Sequence, residues 1–331
     1  MTVAQDAGAA PQARDEPRSG ARHAGARKRL WSRAFAIAAV ALSAFLIWRT
    51  LRQHSFDEIV ASVQAVPGSR LAAAGGFAAA SYVALTGFDW LALRYLGKPL
   101  PYWKAALASF TSLGLGHSIG FAGLSSGAIR YRFYSRWGLG VSDVAKLVVF
   151  CGATVGLGLL ALGGAALLLR PDLGAKVIGL GEGWVVALGV ACLALTAAYV
   201  ALSAWGPRAV SIRGWSIETP PVRLALAQVV VGAVNFALVA GCLHQALASQ
   251  AEVDYLSVAS VYVIANTATM ITHVPGGLGV IESVVGVLLP GANLIGGLLA
   301  FRAIYFFVPL VLAGATFGIS ELLHRRRKAE R

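Results

Sequence analysis

Charge is the scarcest commodity in this 331-residue chain: Asp, Glu, Lys and Arg make up 13% of it, against 57% hydrophobic residues. That balance, with a mean hydropathy of +0.69, excludes a soluble protein, and no soluble domain of useful size remains once the apolar segments are removed. Cysteine is almost absent. Cys151, Cys192 and Cys242 all fall inside apolar segments. Their spacing matches no metal motif and offers no evident disulfide, so they read as packing residues. No Walker A sequence occurs, which excludes ATP hydrolysis through a P-loop. Acids are outnumbered by bases, for a net charge of +13. The excess does not point to nucleic acid. Its cations sit in the tails and between apolar segments, where they set topology and meet anionic lipid headgroups.

What remains is apolar and repetitive in length. Residues 1–33, rich in Ala, Arg, Gly and Pro, read as a disordered basic cytoplasmic tail, and 324–331 as a second basic tail. Between them, 34–323 forms a polytopic membrane domain with apolar segments near 34–48, 71–93, 105–128, 146–169, 184–205, 223–248, 256–273, 278–289 and 293–322. The segment 34–48 reads as an uncleaved first helix lengthened by snorkelling Arg33 and Arg49, because nothing like a cleavage site follows Trp48. Segment 278–289 is short for a straight crossing, which needs about 20 residues. Segment 105–128 is long enough but holds Gly114, Gly116, His117, Gly120, Gly123 and Gly127.

Charge decides how 105–128 sits. If it re-enters, with both ends on the cytoplasmic side, the inside collects 22 Lys and Arg and the outside five. If it crosses, Arg130, Arg132, Arg136 and Lys146 move outside. The positive-inside rule prefers re-entry. The expected fold is therefore an all-α integral membrane protein with about eight crossings, one of them short, a re-entrant hairpin, and both termini cytoplasmic. SLGLGHSIG at 112–120 and MITHVPGGLG at 270–279 each place a histidine before a glycine-rich break, and each is followed by a segment leading to an arginine, Arg130 or Arg302. Inverted repeats would explain this resemblance.

The most informative stretch is VYVIANTATMITHVPGGLGVIE, from Val261 to Glu282. Pro275 removes a donor and clashes with the preceding turn, and Gly276 and Gly277 add backbone freedom. A broken helix at membrane depth follows. Such backbone is tolerated only where protein buries it or a wet cavity receives it, and it commonly marks a transport site. Few ionisable residues accompany it: Asp89, Glu282, Arg302 and the histidines His117, His244 and His273, with Arg94 and Arg130 at segment ends. A charge at membrane depth costs about 2.5–3.5 kcal/mol on insertion scales. Two readings stand. Asp89, Glu282 and Arg302 line a polar cavity, or a pair such as Glu282–Arg302 holds helices in register. Glu282 has a third reading, since an acid in a first turn is favoured by the helix dipole. Backbone N–H groups around Gly276–Gly279 would suit a phosphate, with Arg130 or Arg302 beside them and Asp89 or Glu282 meeting a headgroup amine. His117 and His273 flank the breaks and either hydrogen-bond a headgroup or are satisfied structural histidines. No metal site is expected.

Other motifs carry less. Gly123-Leu124-Ser125-Ser126-Gly127 fits the hydrolase elbow G-x-S-x-G, which needs a strand–turn–helix that this sequence does not offer. Small residues for close helix packing account for it better, as they do for Gly116/Gly120, Gly152/Gly156 and Gly314/Gly318. Ser135-Arg136 matches the start of a membrane phosphatase motif without its histidine.

Two stretches resemble a known family. GHSIG at 116–120 with GAIRYRFY at 127–134, and HVPGGLGVIE at 273–282 with FRAIYFFVP at 301–309, are similar to the transmembrane region of lysylphosphatidylglycerol synthases. The resemblance implies a bacterial inner-membrane protein that flips phospholipids, aminoacylated phosphatidylglycerol in the larger members. Arg130, Pro275, Gly276, Gly277, Glu282 and Arg302 carry over by motif position, and Asp89 with them. The chain ends eight residues after its last expected helix, so it is expected to match the stand-alone members without a synthase domain. The expected function is phospholipid movement with no cofactor. The expected partners are phospholipids, and a second copy or a separate lipid synthase. A membrane-embedded lipid-modifying enzyme and a non-transporting partner subunit are the alternatives, and no catalytic motif in a credible context supports an enzyme.

Overall fold

The computed structural model describes residues 56–119, 122–179, 181–205, 209–212, 215–248, 250, 252–272, 275–289 and 294–329. The tail at 1–33 and the expected helix at 34–48 lie outside the described residues, as do His273 and Val274. The elements are α1 (Phe56–Gln64), α2 (Gly68–Tyr95), α3 (Tyr102–Ile119), α4 (Ala122–Tyr134), α5 (Val141–Leu169), α6 (Pro171–Ile178) and α7 (Glu182–Ala204). There follow β1 (Ala209–Ile212), β2 (Trp215–Glu218), α8 (Val222–Leu247), α9 (Tyr255–Thr272), α10 (Val280–Leu288), α11 (Ile295–Arg302) and α12 (Val308–Ala329). The chain is an all-α membrane protein apart from one small antiparallel hairpin, β1–β2, in a connecting loop. Among the described residues, α2, α5, α7, α8, α9 and the run Ile295–Arg326 are long and apolar enough to cross a bilayer. Helix α12 runs on through the basic stretch expected to be a tail.

Local chemistry sets the ends. Helix α2 stops where Gly97 takes φ 64°. The Gly97 amide then bonds the Arg94 carbonyl and the Lys98 amide reaches back to that of Leu93, which satisfies two otherwise orphaned carbonyls. Helix α5 starts at Gly140, whose amide donates to Asp143 at 2.8 Å, and α6 opens on Pro171 and closes at Gly179 with φ 70°.

Helices α2 and α8 form the central antiparallel pair. Arg70 lies 3.4 Å from Gln245 at one end, Ser81 bonds Asn235 at 2.8 Å in the middle, and the Tyr95 hydroxyl donates to the Glu218 carbonyl at the other end, 2.6 Å away. Each begins one unit: a long helix, a helical hairpin, a second long helix. In the first unit α2 is followed by the hairpin α3–α4 and then α5. In the second, α8 is followed by α9–α10 and then α11 with α12. The units run in opposite directions, which is the inverted arrangement that the two histidine–glycine stretches suggested.

The hairpin α3–α4 opens on one face of the molecule. Gly116 packs on Ser126 near its tip, and at its base Trp103 meets Trp137. Lys98 pairs with Asp143 at 2.6 Å, and Arg132 and Arg136 pair with Glu321 of α12, so the ends of α2, α4, α5 and α12 share this basic face. Both arms of the segment read as re-entrant thus return to one side. The hairpin α9–α10 opens on the opposite face. There Arg170 pairs with Asp254 at 3.3 Å, the Gly297 amide donates to Gln250, and α10 reaches back to α6. The segment expected as a short crossing, 278–289, holds α10, which folds back against α9 as the second arm of a hairpin. An apolar arm of nine residues is about 13 Å long, too short to span but long enough to bring the chain back from mid-depth.

Gly116 makes the close approach its spacing suggested, against Ser126, but other close approaches fall at glycines that spacing did not pick out. A Cβ on Gly158 of α5 would lie 2.4 Å from the backbone of Gly232 on α8, whereas one on Gly152, Gly156, Gly314 or Gly318 would meet nothing within 4 Å. Where α11 leads into α12, the chain makes a π-helical turn over Ala303–Phe307. Pro309 has no N–H to offer the carbonyl of Tyr305, and the Tyr82 hydroxyl supplies the donor instead, at 3.3 Å.

Candidate functional site

The two units bring their hairpin tips together inside the molecule. A Cβ on Gly276 would lie 3.9 Å from the His117 carbonyl oxygen and 4.0 Å from Arg302 Nη1. Glycine is required there on conformational grounds as well. Gly276, Gly277 and Gly279 have φ of 60°, 60° and 80°, a region that side chains with a Cβ avoid. Pro275–Gly277 forms a tight non-helical turn between α9 and α10. Arg302 is the last residue of α11, eight residues into it, so the turn lies about 12 Å along that helix from its start.

Arg302 holds this turn. Its Nη1 donates to the Gly276 carbonyl at 2.9 Å, and Nη2 donates to the Gly277 carbonyl at 3.0 Å. Its Nε and Nη2 also grip the Glu282 carboxylate as a fork, the Nη2 bond being 2.9 Å. Glu282 in turn accepts the Gly279 amide at 2.9 Å, so it caps α10. The expected picture of bare amides facing a cavity is therefore altered: the carbonyls of the turn face Arg302, and the Gly279 amide is taken by Glu282. Glu282 and Arg302 form an ion pair, and the first-turn reading of Glu282 holds beside it. The pair is unevenly covered, with the Arg302 side chain 5% exposed and that of Glu282 31% exposed.

Asp89 and Arg130 form a second pair, closer to the basic face. Arg130 Nε donates to both carboxylate oxygens of Asp89 at 3.0 and 3.1 Å, and Nη2 donates to one of them at 2.7 Å. The Tyr134 hydroxyl adds a donor to Asp89 at 2.8 Å, the Cys151 thiol approaches at 3.6 Å, and Arg130 Nη1 donates to Ser126. Here both side chains are sealed, at 3% and 0% exposure. The pair ties α2 to α4, and so fixes the first hairpin to the central helix. Arg130 and Arg302 do not occupy equivalent places in the two units: Arg130 is on a hairpin arm, Arg302 on the helix that follows one.

His117 sits at the tip of α3. Its Nδ1 is shut away and has no hydrogen-bond partner among the described residues. His244 bonds the Val253 carbonyl at 3.1 Å. The G-x-S-x-G stretch lies in the opening turns of helix α4, with no strand leading into it.

Several polar residues were missed by sequence reasoning. Asn235, Ser81 and Tyr305 meet where α2, α8 and the π-helical turn cross, with Ser81 3.1 Å from the Tyr305 hydroxyl. Gln228, one face of α8 removed by two turns, bonds Thr154 at 3.0 Å and accepts from Tyr199 at 2.6 Å. An asparagine and a glutamine seven residues apart in an otherwise apolar helix were the available signal. Tyr134 and Ser126 stand four residues on either side of Arg130 on one helix face, and that spacing was legible too.

Around the turn, the second hairpin leaves one flank open. Thr267, Thr272, Gly279 and Ser283 are exposed there, beside the partly exposed Glu282. The three hydroxyls bond carbonyls of their own helix, as Thr272 does that of Ala268 at 2.8 Å. Among the described residues, no segment covers this polar flank.

These features define a polytopic helical membrane protein built of two units, each a long helix, a helical hairpin and a second long helix. The chain belongs to the lysylphosphatidylglycerol synthase TM region family, whose model matches residues 36–313. It is 33% identical over 282 residues to an uncharacterised protein of Synechocystis, covering 84% of this chain and 88% of that one. It is 29% identical over 300 residues to the inner membrane protein YbhN of Escherichia coli, covering 86% of each.

Proposed function

We propose that this protein moves phospholipids across a bacterial inner membrane, with the headgroup passing the Pro275–Gly277 turn. One observation carries the reading. An ion pair, a broken helix and a strip of exposed polar residues coincide about mid-depth on a flank that faces outward from the helix bundle. Intramembrane charges and irregular backbone are costly there, and both recur where a polar substrate travels. Family membership supports a lipid substrate, and the similarity to YbhN supports the inner membrane. In this reading Arg302 meets the phosphate, while Glu282 meets an amine or tunes the site. Asp89 and Arg130 anchor the first hairpin, and His117 lies next to the path at the tip of α3. The basic face is cytoplasmic, which puts both termini inside. The protein acts as a transporter and not as an enzyme, without a cofactor.

The test is reconstitution into liposomes with labelled phospholipids, scoring movement in both directions, for the wild type and for a variant with Ala at 275, 276 and 277. Alanine at 276 and 277 is forced into a φ that residues with a Cβ avoid, and at 277 its Cβ would lie 2.9 Å from Thr269. The variant should lose the turn and its hold on Arg302, and abolish lipid movement. Full movement in that variant would remove the basis of the reading.

A further inference from the structure

Glu282 holds the bonds that an arriving phosphate would need. The Nε–Nη2 edge of Arg302 is a fork that fits two oxygens of a carboxylate or of a phosphate equally well. Glu282 occupies that edge and also takes the Gly279 amide, the donor that would otherwise favour an anion at the start of α10. The Asp89–Arg130 and Glu282–Arg302 pairs differ in how firmly the acid is held. Asp89 is fully buried and receives a third donor from Tyr134. Glu282 is 31% exposed, and it is carried on a turn whose three glycines have positive φ. Arg302, by contrast, would stay in place if Glu282 left, because the carbonyls of Gly276 and Gly277 still hold Nη1 and Nη2.

We infer that Glu282 is a built-in competitor for the phosphate of a lipid headgroup at Arg302. The inference rests on the headgroup reading given above and adds how the site is kept closed. With no headgroup present, the carboxylate satisfies Arg302 and pins α10 to α11. A phosphodiester displaces it, takes the guanidinium edge and the Gly279 amide, and turns Glu282 out toward the exposed flank. Arg302 is paired with an anion at both stages, and the displaced carboxylate is left on the polar flank.

Glu282→Gln tests this cleanly. Glutamine at the same position keeps the helix cap and a neutral contact to Arg302, so the fold is retained. Binding is read from the thermal melting of purified protein in a neutral detergent, titrated with short-chain phosphatidylglycerol, inorganic phosphate, or a short-chain diacylglycerol. Glu282→Gln should bind phosphatidylglycerol about tenfold more tightly than the wild type, and Arg302→Lys, which keeps the charge but loses the fork, should bind it more weakly. Diacylglycerol should stabilise none of them. If Glu282→Gln binds no more tightly while Arg302→Lys is weakened, the competitor idea is overturned and the headgroup site survives. If inorganic phosphate matches phosphatidylglycerol, the site serves a soluble anion and its lipid assignment falls. If phosphatidylglycerol stabilises neither the wild type nor Glu282→Gln, the headgroup reading itself fails.

Discussion

Replacing Arg130 with Leu should unmask what the sealed pair does. In the native structure Asp89 receives Arg130 Nε, Arg130 Nη2 and the Tyr134 hydroxyl, all within 3.1 Å. Removing the guanidinium leaves a carboxylate at 0% exposure with a phenol and a thiol as its remaining partners. Breaking one side of a buried pair costs about 3–5 kcal/mol, a large share of the roughly 5–15 kcal/mol by which a domain is stable. Asp89→Leu combined with Arg130→Met removes both charges. The residual cost is then mainly the Tyr134 hydroxyl left without its acceptor, about 1–3 kcal/mol. The single variant should therefore be depleted from the membrane and melt well below the wild type, and the double variant should recover most of that loss. Abundance, thermal melting in detergent and liposome lipid movement are measured side by side. An Arg130→Leu protein that melts like the wild type yet moves no lipid would refute the anchoring role and return Arg130 to the substrate.

Three further outcomes are expected. Single cysteines at Ser135 and Ser142, on a cysteine-free background, should resist an impermeant thiol reagent added to intact spheroplasts, since both lie on the basic face; ready labelling would reverse the assigned orientation. Gly158→Ala should destabilise by about 1–3 kcal/mol, because its Cβ would fall 2.4 Å from the Gly232 backbone, and Gly314→Ala should be neutral or better; equal melting temperatures would contradict the α5–α8 contact. The Asp254 carboxyl lies below its ordinary range, held there first by the Ser257 hydroxyl, then by the Ser257 amide and Arg170. Its contribution to the start of α9 is thus present at neutral pH and disappears as the pH falls through the depressed value, and hydrogen exchange at Ser257 should accelerate only in acid; faster exchange on raising the pH from neutral, beyond the intrinsic base catalysis, would invert the sign.

Composition and local pattern decided a good deal about this molecule. A chain so apolar and so poor in charge has to live in a bilayer, because a bilayer is the one solvent its surface suits. The uneven count of Lys and Arg already demanded that 105–128 return to the side it left, and α3–α4 does so. Pro275 with two glycines required a break, since no continuous helix tolerates proline followed by residues at positive φ. These are properties of short stretches, and short stretches are legible. Partnership is not, because it depends on which side chains meet across elements. Nothing near Asp89 in the chain names Arg130, 41 positions on, and the alignment of two histidine–glycine stretches equated Arg130 with Arg302 although they belong to different parts of their units. The spacing of small residues promised contacts at Gly152/Gly156, but Gly158, against Gly232 of α8, and Gly164, against Gly189 of α7, make the close approaches instead. The turn at Pro275–Gly277 likewise was readable as a break, while the filling of its carbonyls by Arg302 was settled only when α11 packed beside it. A carbonyl stripped of its helical partner must find a donor, and in a membrane interior that donor has to come from another segment.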